Sequence, residues 1–223
     1  MKKRIWELDA IRGLCIVAMV AVHLVFDLQI PTGAAFAFVQ NWGGVIFFLL
    51  SGLCVTLGSH PVKRGLLVLG AGLLCTGVTW IMCALSIVPA YMVIRFGVLH
   101  CLGICMLLWP VFRKLPVWLL TVLGIFLSAL GIYLTEGIVV DFSGFAWLGL
   151  LYPGYSSADY FPMLPYLGFF LVGAVLGRIL YRKKESLLPE LGDFWLFRAL
   201  QWCGRHSLIL YLLHQPVLML LFL

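Results

Sequence analysis

Charge is scarce in this chain. Of its 223 residues, 9 are Asp or Glu and 15 are Lys or Arg, so charged side chains make up 11%. A soluble domain carries about 25%, so the shortage excludes an ordinary water-soluble globule. Alternating apolar and polar segments of about ten residues are also missing, which excludes a membrane β-barrel. The seven cysteines (15, 54, 75, 83, 101, 105 and 203) include no Cys-x-x-Cys pair and lie mostly within apolar runs. They read as small apolar packing residues, and neither a disulfide framework nor a metal site is expected. No linker rich in Pro, Gly or Ser divides the chain, and no internal repeat or low-complexity tract is visible, so residues 1–223 are expected to form one domain.

What the chain has in place of charge is hydrocarbon. Hydrophobic residues make up 63% and the mean hydropathy is +1.09. Several apolar runs approach the roughly 20 residues that cross a bilayer as a helix. The expectation is an all-α, polytopic transmembrane helix bundle with spans near 10–29, 42–59, 65–88, 96–112, 116–135, 162–181 and 206–223. An eighth membrane element is open if the aromatic, Gly-rich segment 136–161 is re-entrant or a lid. The start MKKR precedes an apolar stretch without a small-residue cleavage site, which reads as a retained first span.

The formal charge of +6 is distributed as a topology signal. With the N-terminus cytoplasmic, Lys2, Lys3, Arg4, Lys63, Arg64, Arg113, Lys114, Arg182, Lys183, Lys184, Arg198 and Arg205 fall on the inner side. Arg12 and Arg178 sit at inner span ends, and only Arg95 lies outside with Glu136, Asp141 and Asp159. That is the positive-inside pattern of a cytoplasmic (inner) membrane protein with an extracytoplasmic C-terminus. The basic excess therefore does not point to nucleic acid; the lipid bilayer is the expected partner, and a homodimer is left open. In the inner loop 182–205, Ser186 is a candidate helix cap, and Trp195 and Trp202 suit an interfacial amphipathic segment. Gly173 and Gly177 form a GxxxG that suits close helix packing. Pro216 is expected to loosen the last helix and free a carbonyl.

The first span, LDAIRGLCIVAMVAVHLVFDL (8–28), carries Asp9, Arg12, His23 and Asp27. Eleven residues of helix turn about 1,100° and rise about 16 Å, so Arg12 and His23 share a face at two depths. Asp27 lies one turn beyond His23, and Asp9 nearly one turn before Arg12. Intramembrane ionisable groups are costly and mark functional sites; an interfacial Asp9–Arg12 ion pair and a satisfied core histidine are the structural alternatives. A carboxylate beside an imidazole fixes its tautomer and supports it as a base. Arg95 and His100 flank the fourth span, Asp159 precedes the sixth, and Tyr211, His214 and Gln215 lie in the last.

These residues sit in motifs that resemble a known family. RxxxLDxxRG (4–13) with Arg12-x10-His23 resembles the opening of integral-membrane acyltransferases. RIWELDAIRG (4–13), FGVLHCLG (96–103), DYFPMLPYLGFFLVGAVLGR (159–178) and GRHSLILYLLHQPV (204–217) together resemble the bacterial branch related to the catalytic domain of heparan-alpha-glucosaminide N-acetyltransferase. The resemblance implies an enzyme of the cell envelope, a membrane O- or N-acetyltransferase. It moves an acetyl group from cytosolic acetyl-CoA (acyl-CoA) to an amino-sugar or sugar-hydroxyl acceptor on the far side. On that reading Arg12, with Asp9, binds the donor, and His23 with Asp27 is the catalytic base. Asn41, Arg95, His100, Asp159, Tyr211, His214 and Gln215 bind the acceptor or the developing oxyanion. Eukaryotic members have an active histidine in the loop after the first span, whereas residues 30–41 (IPTGAAFAFVQN) have none; either His23 takes that role or the chemistry differs. A transporter or flippase, and a non-catalytic scaffold whose polar residues hold helices together, are the alternative functions.

Overall fold

The computed structural model describes residues 4–192 and 194–222, the side chains of residues 35, 136 and 137 excepted. Lys2, Lys3, the Glu136 side chain and Leu223, all assigned above, lie outside the described residues. Among the described residues eight α-helices carry the fold: α1 (Trp6–Asp27), α2 (Ala34–Leu57), α3 (Pro61–Ala84), α4 (Val98–Phe112), α5 (Val117–Gly137), α6 (Met163–Leu180), α7 (Trp195–Arg205) and α8 (Ser207–Phe222). Among the described residues five are long and apolar enough to cross a membrane, and α7–α8, bent by 84°, makes a sixth if the pair is counted as one broken span. The protein is thus an integral membrane helix bundle.

The boundaries differ from the sequence expectation at three places. α2 starts at Ala34, so much of the expected outer loop 30–41 is helical; Gly33 is its extended N-cap. α3 starts at Pro61, which fills the first helical position where a missing N–H costs nothing. α4 is only 15 residues long, because Phe96 is held extended by a bridge to Tyr160, with the Phe161 N–H donating to the Phe96 carbonyl at 3.1 Å. The fourth expected span is therefore a short helix with a recessed start.

α6 is the centre of the bundle. Phe170, Leu171 and Ala174 are fully buried, and they pack with Phe48 of α2, Cys101 and Cys105 of α4, and Leu120 of α5. Glycine sets the closeness of two crossings. A methyl at Gly173 would overlap the Leu49 carbonyl, and one at Gly52 would overlap the Phe170 carbonyl; the GxxxG is thus a packing device between α6 and α2. α1 and α7 meet the same way, with Gly13 against the Leu200 carbonyl and Gly204 against that of Asp9. The outward surface is apolar: Leu73, Leu74, Trp118, Val122 and Phe126 are all more than half exposed. In water such a surface would aggregate; in a bilayer it is the solvent-facing side.

The segment after α5 forms a 3-10 turn (Ser143–Leu148) and a bridge from Val139 to Leu151, and the Tyr160 hydroxyl donates to the Ala146 carbonyl at 2.7 Å. It covers the recessed starts of α4 and α6 and adds no long apolar helix. In the other long loop Ser186 caps no helix. Its hydroxyl donates at 2.7 Å to the buried Glu7 carboxylate, and Phe194 is the N-cap of α7. α7 presents Trp195 and Trp202 outward, as an interfacial helix does, and lies on α1. Pro216 does not break α8, which continues to Phe222; the bend comes at His206 instead.

Candidate functional site

At the N-terminal end of α1, one carboxylate meets three guanidinium groups. Asp9 lies 3.4 Å from Arg12, 3.8 Å from Arg4 and 3.7 Å from Arg205. Arg64, in the first turn of α3, lines the same cavity. Asp9 is only 14% exposed and its three partners 24–69%; ion pairs this long with partly exposed guanidinium groups contribute about 1 kcal/mol or less each. They do not account for four gathered arginines as a stabilising device. One Asp leaves three positive charges uncompensated, which is an anion site by charge.

From these arginines a cavity of about 300 Å³ enters the bundle. α1 contributes Arg12 and Ile16, α2 contributes Ser51 and Cys54, and α4 contributes Leu99 and Met106. It reaches Tyr211 on α8; His23 is not part of its wall. Tyr211 joins two parts of the site. Its hydroxyl donates to Asp159 Oδ2 at 2.9 Å, and its backbone carbonyl is hydrogen bonded to His214 Nδ1.

His214 packs on His23, with ring centroids 4.8 Å apart and planes inclined by 56°. One turn further along α1, Asp27 Oδ2 accepts from Gln215 Nε2 at 2.9 Å. The sequence expectation had Asp27 orienting His23. No hydrogen bond joins them among the described residues, because the neighbouring helix captures the carboxylate: Gln215 reaches it across the α1–α8 contact. Two buried side-chain atoms here have no partner among the described residues, His214 Nε2 and Gln215 Oε1.

Asp159 lies at the recessed start of α4, where it also accepts from the Val98 N–H at 3.0 Å. Burial raises its pKa above the usual 3.8, against the lowering effect of its two donors. His100 caps the same helix start. Its Nδ1 accepts from the Gly97 N–H at 3.2 Å, so Nε2 carries the proton and donates to Thr76 Oγ1 at 3.2 Å. Both of its ring nitrogens are engaged in holding α4, which leaves none for an acceptor molecule. Arg95 is exposed, donates to the Tyr152 hydroxyl at 2.9 Å, and lies 5.8 Å over the Tyr155 ring. Asn41 is exposed on α2, lines no part of the cavity and makes no side-chain hydrogen bond among the described residues.

Of the residues singled out from the sequence, the structure gathers Asp9 and Arg12 at one end, and His23, Asp27, Tyr211, His214, Gln215 and Asp159 toward the other. Arg95 and His100 lie beside the latter group, and Asn41 stands apart. Sequence reasoning missed Arg4, Arg64 and Arg205 as cavity residues, although charge counting groups all three on one side with Arg12. It also missed Glu7, which is buried and accepts from the Leu187 N–H at 2.7 Å, Ser186 at 2.7 Å and Tyr181 at 3.3 Å. Glu7 and Asp9 are two residues apart, about 200° on a helix; one faces the loop after α6 and the other the arginines. No group of three or more His, Cys, Asp or Glu side chains placed to hold a metal occurs among the described residues.

The family model for the catalytic region of heparan-alpha-glucosaminide N-acetyltransferase matches residues 4–216. The chain belongs to that family. The match runs from Arg4 at the arginine end to Pro216, just past the His214–Gln215 pair, and so includes both halves of the site. Membership assigns the chain to the membrane acetyltransferases. Comparisons with curated proteins and with solved structures returned no match.

Proposed function

We propose that the protein transfers an acetyl group from acetyl-CoA, bound from the cytoplasm at the arginine end, to an amino-sugar or sugar-hydroxyl acceptor at the histidine end. The observation that carries this reading is the cavity itself, which starts among four arginines and ends at Tyr211. Guanidinium groups bind phosphate in paired, charge-assisted hydrogen bonds. Three uncompensated positive charges suit the phosphates of the nucleotide part, and the narrow apolar interior suits the uncharged pantetheine arm. Arg12 and His23 are about 16 Å apart along α1, a span that an extended arm covers.

The cavity wall ends at Tyr211, whose carbonyl holds the His214 ring that packs on His23. In the reaction an acceptor nitrogen or oxygen attacks the thioester carbonyl, His23 takes its proton, and the carbon–sulfur bond breaks to release the CoA thiolate. The thiolate takes up a proton as it leaves. Tyr211 and Gln215 already donate to Asp159 and Asp27, so on this reading they hold those carboxylates in place, and Asp159 and Arg95 border the acceptor side. The orientation follows from charge: the arginine cluster, Arg113 and Arg178 lie at one end, and the positive-inside rule makes that end cytoplasmic.

The test uses protein purified into nanodiscs, labelled acetyl-CoA and a panel of amino sugars. Wild type is expected to release CoA and label an acceptor, and His23→Ala to do neither at a comparable rate. Absence of acetyl-CoA binding and of transfer by wild type refutes the reading and favours a scaffold.

A further inference from the structure

Two adjacent residues of α8 each bury an acceptor atom without a donor among the described residues, His214 Nε2 and Gln215 Oε1. The state of each follows from its other bond. A backbone carbonyl can only accept, so His214 Nδ1, bonded to the Tyr211 carbonyl, carries the ring proton. His214 Nε2 is therefore a bare lone pair in the neutral ring. A carboxylate also only accepts, so Gln215 turns its NH2 toward Asp27 and leaves Oε1 open. A buried acceptor without a donor costs about 1–3 kcal/mol, and such atoms in a folded protein call for a reason.

The polar side chains packed at His214 narrow the donors. Tyr211 spends its hydroxyl on Asp159, and Asp27 is an acceptor. That leaves the ring of His23. His23 makes no hydrogen bond among the described residues, and neither of its ring nitrogens is a buried orphan, so its nitrogens are reachable. An in-line imidazole N–H···N bond with a donor–acceptor distance of about 2.9 Å places ring centroids about 5.2 Å apart. The two rings already stand at 4.8 Å, inclined by 56°. The pairing asks for rotation of the His23 ring about its side-chain bonds, with His214 held by the Tyr211 carbonyl. The Asp27–Gln215 bond, one turn away, fixes the two helices at the matching level.

We infer that His214 is the positioning residue of His23, its Nε2 receiving the N–H of the His23 ring so that the other His23 nitrogen stays bare and faces the acceptor. This rests on the acetyl-transfer reading and assigns to His214 the part expected of Asp27 from helical spacing. When the bare nitrogen takes the proton from the acceptor N–H or O–H, the acceptor atom bonds to the acetyl carbon and CoA leaves as thiolate. The resulting imidazolium keeps its original N–H donated to His214 Nε2. That bond is strongest while His23 is charged, so it acts on the transition state more than on substrate binding. The proton then passes from His23 to the thiolate, and the products are acetylated acceptor and CoA thiol.

The experiment compares His214→Ala, His214→Gln and His23→Ala with wild type in nanodiscs. Acetyl transfer to an amino sugar is followed across pH, and 15N-histidine NMR is recorded on the same proteins. His23→Ala is expected to lower kcat at least 10³-fold. His214→Ala is expected to lower kcat about 10²-fold, in the range of one acid–base interaction, with KM for acetyl-CoA unchanged. With the imidazolium left without its acceptor, the acid limb of kcat/KM moves to lower pH. Asp27 on α1 and Tyr211 on α8 are the other titratable groups facing the pair, and both variants retain them. His214→Gln, whose amide oxygen replaces Nε2, is expected to recover at least tenfold over Ala.

The NMR expectation is an Nδ1–H tautomer for His214, with an Nε2 signal that moves in His23→Ala. A His214→Ala enzyme with kcat within threefold of wild type and an unmoved acid limb overturns the inference. So does a His214→Ala enzyme as inactive as His23→Ala that Gln does not rescue, since that result makes His214 the base. An Nε2–H tautomer overturns it without any assay. Wild-type protein that neither binds nor uses acetyl-CoA refutes the acetyl-transfer reading instead, and the NMR still decides whether the two rings are paired.

Discussion

Replacing Arg12 with Ala separates the donor-site reading from a purely structural role, because the two assign the loss to different measurements. Arg12 stands 3.4 Å from Asp9, which keeps Arg4 at 3.8 Å and Arg205 at 3.7 Å. Its ion pair is thus one of three on a carboxylate that is only 14% exposed; because Asp9 keeps the other two, the loss is expected to cost about 1 kcal/mol of stability. A guanidinium–phosphate bond in a partly desolvated cavity contributes about 1.5–3 kcal/mol. At 1.4 kcal/mol per decade this is a rise of about 10- to 100-fold in Kd for acetyl-CoA. Because the phosphates stay fixed through the reaction, the loss falls on binding and leaves kcat within a few-fold. The assay is equilibrium binding of labelled acetyl-CoA to nanodisc protein, beside a thermal melt of the same sample. Raising the salt concentration is expected to weaken wild-type binding more than Arg12→Ala binding, since fewer ion contacts remain to be screened. An unchanged Kd with a large fall in melting temperature refutes the reasoning and makes Arg12 a structural cation.

Glu7→Ala leaves the Leu187 N–H and the hydroxyls of Ser186 and Tyr181 without their shared acceptor, and about 2–3 kcal/mol of stability is expected to be lost; limited proteolysis within 182–188, together with a thermal melt, checks this. Gly173→Leu drives a side chain into the Leu49 carbonyl and is expected to cost more than about 3 kcal/mol or abolish folding, read as loss of the monodisperse peak in detergent. Asp159 has a folded-state pKa raised above 3.8 by burial. Its protonated form is therefore favoured by folding: its contribution is fully present below the unfolded pKa and is lost as pH rises through the folded one. Asp159→Asn, which can still accept from Val98 and Tyr211, is expected to flatten the melting temperature over that window and to match or exceed wild type above it. A wild-type profile with no decline there refutes the assignment.

Hydropathy placed the helices because the bilayer imposes a length. Where the chain departs from that, tertiary contacts decide: Tyr160 pairs with Phe96 and shortens α4, and nothing within FGVLHCLG announces that partner. Position along one helix was also legible. The rotation per residue puts Arg12 and His23 on one face, and charge counting put Arg4, Arg64 and Arg205 on the same side of the membrane as Arg12. Their convergence on one cavity was not legible, since Arg64 arrives from α3 and Arg205 from the bend between α7 and α8. Ser186 looked like a cap because a cap is a local pattern, yet its partner Glu7 is 179 residues away.

The sequence by itself determined a helical membrane protein, the family and the residue types at the two ends of the first helix. These follow from composition, spacing and charge sign, all of which act along the chain. Only the tertiary structure decided which side chain completes each of those residues. Asp27 is four residues from His23 and belongs instead to Gln215, while His23 faces His214. Helical periodicity fixes the direction in which a side chain points; the helix packed opposite fixes what it meets.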